Sequence, residues 1–217
     1  MKVVVLNLPN ISNPVIENAV SLDRSSDEAV GVAISEVLNK FGKTGSFIHL
    51  HPHFEFQNGH FSQHFKQERE IVKTVFLLAK HLQAPLNELG QTQRSGFLTV
   101  TRMDGKLGQG KRGNVSVIGG GLPGLVKSLN LEWSPVFCRA LDIQPELPVD
   151  QIAAQVVSEL HDINVKAVEV AFSEEGRKTP IAIPVGVNEN QAIKTTVTKE
   201  SVCLLYTSDA ADDASSV

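Results

Sequence analysis

Tyrosine occurs once in this 217-residue chain, at position 206, tryptophan once, at 133, and cysteine twice, at 138 and 203. So few thiols build no disulfide framework, which suits a reducing compartment. No apolar run approaches the roughly 20 residues a membrane-spanning helix needs. The Val/Leu run after Lys2 is too short for the apolar region of a signal peptide. A cytoplasmic location is the expectation. Basic runs and basic-aromatic stripes are also missing, which argues against a nucleic-acid surface.

The end of the chain stands apart from the rest. CLLYTSDAADD at 203–213 matches no folded-protein pattern, yet it resembles the translation of a transposon-end adapter used in sequencing libraries. Residues 202–217 are therefore read as a non-native tail and set aside from the fold; a genuine flexible acidic tail is the alternative. The tail carries Asp209, Asp212 and Asp213 and no Lys or Arg, so the formal charge of −4 becomes −1 for the body. Without the tail Cys138 is the single thiol, no tyrosine remains, and the natural sequence is expected to continue beyond Ser201. A near-neutral body of this length fits one large or two small domains with a real core.

Strand-like and helix-like segments alternate along that body. Residues 2–8 are a short apolar run closed by Pro9 and Pro14, a buried strand. Ser25 with Glu28 makes a capping-box pattern, Val30, Ile34, Val37 and Phe41 follow on one helical face, and Gly42 ends it. Residues 46–50 form the next strand, and a loop rich in His and Phe spans 51–65. Glu68 opens the longest helix, whose stripe of Ile71, Val75, Leu78 and Leu82 stops before Pro85. Residues 96–102 alternate and branch like a strand, and 105–113 form a loop rich in Gly and Lys. The stretch 118–142 reads as tight glycine turn, amphipathic helix and short strand ending in an acid. Pro148 leads into a helix with Ile152, Val156 and Leu160 on one face, and 167–172 and 181–185 are further strand candidates. Such alternation, with strands that are continuous apolar runs, predicts an α/β fold: a mainly parallel, Rossmann-like sheet with helices on both faces and right-handed crossovers. No internal repeat is visible, and the polar stretch 188–201 reads as a connector.

Gly119, Gly121 and Gly124 match G-x-G-x-x-G, and Asp142 closes the strand that follows. Such a turn brings backbone N–H groups to a pyrophosphate at a helix N-terminus, while the acid holds a ribose hydroxyl. Three features point the other way. Pro123 lies where the first turn needs donors. The possible strand before the turn, 114–118, is short and polar at Asn114 and Ser116, and the motif sits in mid-domain. Glycines that only permit close helix packing explain the turn equally well.

GFLTVTRMDG at 96–105, followed by GGGLPGLVKSLNLEWSPVFCRALDI at 119–143, resembles the ketoreductase region of polyunsaturated fatty acid synthases and the related polyketide synthases. ELHD at 159–162, EVAF at 169–172 and GRKT at 176–179 fit the same pattern. The resemblance implies a short-chain dehydrogenase/reductase-like domain of two related Rossmann-like halves. The first half is structural; the second holds NADPH and the catalytic residues. Residues 1–187 resemble the first half, with 188–201 leading toward the second. Catalytic short-chain reductases carry a Tyr and a Lys four residues apart before a helix of the kind that here contains Lys127, Ser128 and Leu129. Aligned on that pattern, Val115 stands at the Tyr, Gly119 at the Lys, and Arg102 at the substrate-orienting Ser. A valine cannot deliver a proton, and the body has no tyrosine at all. The first strand also runs into 10–14, NISNP, instead of a glycine-rich turn.

What the resemblance implies is therefore a half-domain with no catalytic and no cofactor-binding residue of its own. It would brace the catalytic half of an NADPH-dependent β-ketoacyl reductase, with that half and the acyl carrier protein of the synthase as partners. Two alternatives remain: a self-sufficient nucleotide-binding oxidoreductase using Gly119, Gly121, Gly124 and Asp142, and a noncatalytic interaction module. Other candidates have plainer readings. His49, His51, His53, His60 and His64 offer zinc-like spacings, but Phe54, Phe56, Phe61 and Phe65 interleave with them and only Glu55 adds an acid, so a packed loop is expected and no metal. Cys138 reads as a structural thiol and Trp133 as a packing anchor. Lys106, Lys111 and Arg112 read as a solvated face that could equally touch a phosphopantetheine carrier domain.

Overall fold

A computed structural model of the chain describes residues 3–8, 19–53, 61–110 and 117–184. Pro9, Pro14, the loop residues 54–60 with His60, Lys111, Arg112, Val115, and everything from 185 on, connector and tail included, lie outside the described residues. The elements are β1 (Val5–Asn7), β2 (Ala19–Ser21), α1 (Asp27–Phe41), β3 (Ser46–Leu50), α2 (Phe61–Gly90), β4 (Ser95–Thr101), α3 (Gly121–Glu132), β5 (Val136–Ile143), α4 (Val149–Leu160), β6 (Glu169–Ser173) and β7 (Gly176–Lys178). All of them belong to one compact unit, Met1–Pro180. Residues 181–184, of the second unit, carry no strand, so the strand expected from 181 is not formed over them.

The main sheet has the order β3-β4-β5-β6-β7, parallel through β6, with β7 antiparallel at the far edge. β1 and β2 pair in parallel as a separate two-stranded sheet, and Leu6, Leu8 and Leu22 pack from it into the core. On one face of the main sheet, Phe97, Cys138 and Ala140 meet α1, α2 and α3 through Val30, Ile34, Val75, Leu82, Val126 and Trp133. The indole stands edge-on to Phe97, with ring centroids 5.7 Å apart. On the other face, Leu98, Val100, Phe137, Leu141 and Ile143 pack under α4 through Val156. The Rossmann-like layering expected from the alternation is therefore present.

One expectation about handedness is corrected. The sheet advances in a single direction from β3 to β6, yet α2 and α3 cover one face and α4 the other. The β5–α4–β6 connection consequently has the opposite hand to the two before it, against the usual right-handed rule. A buried ion cluster under the C-terminus of α4 holds it on that face. Fully buried Arg139 pairs with Glu159 and, at 2.9 Å, with Asp162, and donates to the Asn164 carbonyl at 2.5 Å.

Helix boundaries also shifted. The cap of α1 is Ser26, whose hydroxyl accepts from Ala29 N–H at 3.1 Å, while Ser25 is held by the Asp23 carboxylate. Gly42 closes the helix at φ 92°, donating to the Leu38 carbonyl. α2 starts at Phe61, ahead of Glu68, and continues through Pro85 to Gly90. A proline inside a helix removes one backbone bond; buried Leu82, Leu86 and Leu89 keep the helix on the core across the gap. Val117 and Ile118 lie in a turn, so the strand proposed to precede the glycine motif is not formed at them.

Candidate functional site at the carboxyl ends of the strands

Open parallel sheets take ligands in the crevice beyond the carboxyl ends of their strands. On the α2/α3 face, residues in register grade from apolar to polar toward that end. Phe47, Phe97 and Cys138 form one row, His49, Thr99 and Ala140 the next, and Thr101 and Asp142 the last, with His51 following on β3. The polar end holds two clusters, both buried.

The first is a row of three side chains. His49 Nε2 lies 3.1 Å from His51 Nδ1, and His51 Nε2 lies 3.0 Å from Glu68 Oε1. With the Glu68 carboxylate accepting from Nε2–H, Nδ1 of His51 is left to accept from His49 Nε2–H. Burial and the neighbouring His51 lower the His49 pKa to about 3. His53 is a separate contact: its Nδ1–H donates to the Arg102 carbonyl at 2.9 Å. His49, His51 and His53 of the possible zinc set are thus turned on one another, on Glu68 and on the backbone, and no group of three or more metal-ligating side chains converges among the described residues.

Gly119 lies directly against this row. A Cβ at that position would stand 3.1 Å from Glu68 Oε1 and 3.3 Å from His51 Nε2. Among the described residues, a Cβ at Gly121 would meet only Val72, at 4.0 Å, and one at Gly124 nothing within 4 Å. The close approach that the glycine turn requires is therefore to the chain's own Glu68–His51 pair. The first amides of α3 are turned inward as well: Gly121 N–H donates to the Ile118 carbonyl and Leu122 N–H to that of Gly119, each at 3.0 Å. Pro123 offers none.

The second cluster is built on Asp142 and Asp104. Asp142 accepts from the backbone N–H groups of Met103 (2.8 Å), Leu107 (2.9 Å), Lys106 (3.1 Å) and Asp104 (3.4 Å), and from the Thr101 hydroxyl (3.1 Å). Asp104 accepts from the amides of Gly110, Lys106 and Gly108 at 2.7–2.9 Å. Loop 103–110 is thus wrapped around two carboxyl groups. Burial, and then Asp104 beside it, push the Asp142 pKa up. Burial also opposes ionisation of Asp104, but the Gly108 amide, its bond with Asp142 and the Lys106 and Gly110 amides together hold it below the usual carboxylate range. The pair favours one negative charge over two. Both Asp142 oxygens are engaged, so neither is left for a ribose hydroxyl, and the residues of the glycine motif and Asp142 do not fit a dinucleotide.

Arg102 donates to the Pro145 carbonyl, Cys138 is buried with its thiol pKa raised to about 12 by burial, and Lys106 pairs with Glu175 at 2.8 Å. Glu68 and Asp104 were missed as partners in the sequence. Glu68 had a legible signal, since it lies three and seven residues before Ile71 and Val75 on the buried stripe. Asp104 had none, because its role depends on a loop folding back under β5.

His49 gives a pH prediction. Its folded pKa is depressed, so the unfolded chain takes up a proton below pH about 6.5 that the folded chain refuses, and stability falls with pH. Between pH about 6.5 and 4.5 the loss should be about 2–3 kcal/mol. Urea midpoints of the His49→Gln variant should flatten across that window; a profile parallel to that of the parent would rule His49 out as the cause.

No protein-family model and no curated protein matches the chain. Solved structures do. The ketoreductase-containing multidomain structure of a keto acid-selecting NRPS module aligns over 84% of this chain and 15% of its own, at 13% identity and a TM-score of 0.63. A short-chain dehydrogenase from Mycobacterium smegmatis aligns over 70% and 67%, at 15% identity and 0.56. A 3-ketoacyl-(acyl-carrier-protein) reductase from Brucella melitensis, in complex with NADH, aligns over 58% of this chain at 24% identity and 0.48. The chain spans about half the length of that reductase, 54%. Together with the layered sheet, the likenesses above 0.5 show the fold of short-chain dehydrogenases and ketoreductase domains. No helix among the described residues is long and apolar enough to cross a membrane.

Proposed function

We propose that this chain is the structural, noncatalytic half of an NADPH-dependent β-ketoacyl reductase domain within a multidomain fatty-acid or polyketide synthase. The observation that carries the proposal is the filled carboxyl end of the sheet. Where a reductase of this fold would admit cofactor and substrate, this chain places its own loop 103–110, the Asp104–Asp142 pair and a glycine turn seated on Glu68 and His51. The fold likeness to a ketoreductase-containing synthetase module, over most of this chain, supports the setting. In this reading the half braces a catalytic half, which would bind NADPH and receive the 3-oxoacyl group from an acyl carrier protein.

The test uses the full chain with NADPH and a 3-oxoacyl thioester. Neither saturable cofactor binding at millimolar concentration nor turnover is expected, and turnover would overturn the proposal. Saturable NADPH binding abolished by Gly121→Val would instead give the glycine turn to a nucleotide. Sequencing the source transcript past codon 201 supplies a positive counterpart. It should encode an apolar strand running into a glycine-rich turn, with Tyr-x-x-x-Lys further downstream. A stop codon just after the present end would favour an independent interaction module.

A further inference from the structure

Lys66, Lys73 and Lys80 recur every seven residues along α2, and Arg69 and Phe76 recur at the same interval between them. Seven residues are close to two helical turns, so the five side chains share one stripe about 21 Å long. All five are exposed, Phe76 at 57%. The opposite side of the same helix carries the buried stripe of Ile71, Val75, Leu78 and Leu82. The seven-residue spacing hides the cations from any search for a basic run.

The stripe carries a net positive charge. Glu70 pairs with Lys73 at 3.2 Å and lies 3.8 Å from Arg69, and Asp27 on α1 pairs with Lys80 and His81. Glu28, beside Asp27, also feels the charge of Lys80, so among the described residues three carboxylates stand against four permanent cations. Exposed pairs of this kind are weak, and carboxylates of a partner can replace them at little cost. A phenyl ring in the middle of a cationic stripe supplies an apolar anchor of the sort that concentrates binding energy in an interface.

We infer that the outward face of α2 docks an acidic amphipathic helix of a partner protein. Acids repeated every seven residues on that helix would meet the Lys66–Lys73–Lys80 row, and an apolar residue between them would cover Phe76. Spacing and chemistry select this occupant. Duplex nucleic acid carries a charge about every 1.7 Å, whereas these lysines stand about 10.5 Å apart along the axis. A helix lying on an anionic membrane turns its apolar face outward; α2 turns its apolar face into the core, and among its described large apolar side chains Phe76 is the exposed one.

The probe is a three-heptad helical peptide with Glu at every seventh position and Leu between, compared with the same peptide carrying Lys for Glu. Fluorescence anisotropy with the full chain at low salt should show saturable binding of the acidic peptide alone. Lys66→Glu with Lys73→Glu should weaken it about tenfold and Phe76→Ser about threefold, with the far-UV circular dichroism of each variant unchanged. Failure to bind at millimolar peptide would overturn the inference. So would binding that survives the double reversal, or tighter binding to phosphatidylserine vesicles or duplex DNA than to the peptide. The outcome is independent of the NADPH and turnover measurements above.

Discussion

Glu159→Ala is expected to cost about 3–5 kcal/mol of folding stability, read as a lowered urea midpoint of the full chain. Arg139 sits mid-strand in β5 with no exposed surface, and its guanidinium stacks 4.7 Å from the Phe137 ring centroid. Glu159, also buried, pairs with it and with Arg177. Among the described residues, removing the carboxylate leaves the buried cation with the half-buried Asp162, the Asn164 carbonyl and the Phe137 ring, which is the expensive way to break an ion pair. Arg177→Ala should cost about 1 kcal/mol or less, because Arg177 is 37% exposed and its contribution is screened. The double variant Arg139→Met/Glu159→Leu should recover most of the loss, since it removes both desolvation penalties together. If Glu159→Ala is no worse than Arg177→Ala, the cluster does not anchor α4. Arg94 closes the same corner, donating to the carbonyls of Leu160 at 3.0 Å and Asp162 at 2.7 Å.

Gly105→Ala is the second large effect, about 3 kcal/mol. Gly105 has φ +66°, a left-handed conformation that costs an alanine about 1–2 kcal/mol. Its missing Cβ would also stand 2.3 Å from the Phe172 carbonyl oxygen and 2.8 Å from the Gln144 nitrogen. Those two groups hydrogen-bond each other at 2.8 Å, extending the β5–β6 ladder. Backbone cannot yield as a side-chain tip does, so overpacking adds about 1–3 kcal/mol and pulls the loop off Asp142. Gly108→Ala is the control. It has φ +75° and nothing within 4 Å of the added carbon, so the conformational penalty of about 1 kcal/mol acts alone. Equal losses at both positions would mean that loop 103–110 is not pinned against the sheet.

Much of the fold was legible because its signals are local. β3 fell at 46–50 as expected, and β4, β5, the Val30 and Ile34 positions of α1 and the apolar face of α4 followed from runs and periodicities that short stretches display by themselves, while Ala33 and Leu38 pack on the core where Val37 and Phe41 were expected. Boundaries failed where a local rule met tertiary packing. Pro85 looked like an end, but the leucines around it are buried on the core. Ser25 looked like a cap, but Asp23 claims its amide and passes the role to Ser26. β7 was not foreseen, since a three-residue exposed strand carries no hydrophobic pattern.

The site divides along the same line. The glycines at 119, 121 and 124 and the acid at 142 were visible as a pattern, and a pattern permits both a phosphate and a packed side chain to sit against the turn. The sequence alone determined an alternating α/β body without tyrosine, and with it the absence of a tyrosyl acid anywhere in residues 1–201. The tertiary structure decided which neighbour the glycine turn receives, where Asp142 directs its oxygens, and which face α4 covers. Each of those outcomes depends on groups 20 or more residues apart, Gly119 with Glu68, Asp142 with Leu107, Arg139 with Glu159. Such pairs are selected by burial and hydrogen-bond geometry that exist only once the chain has closed on itself.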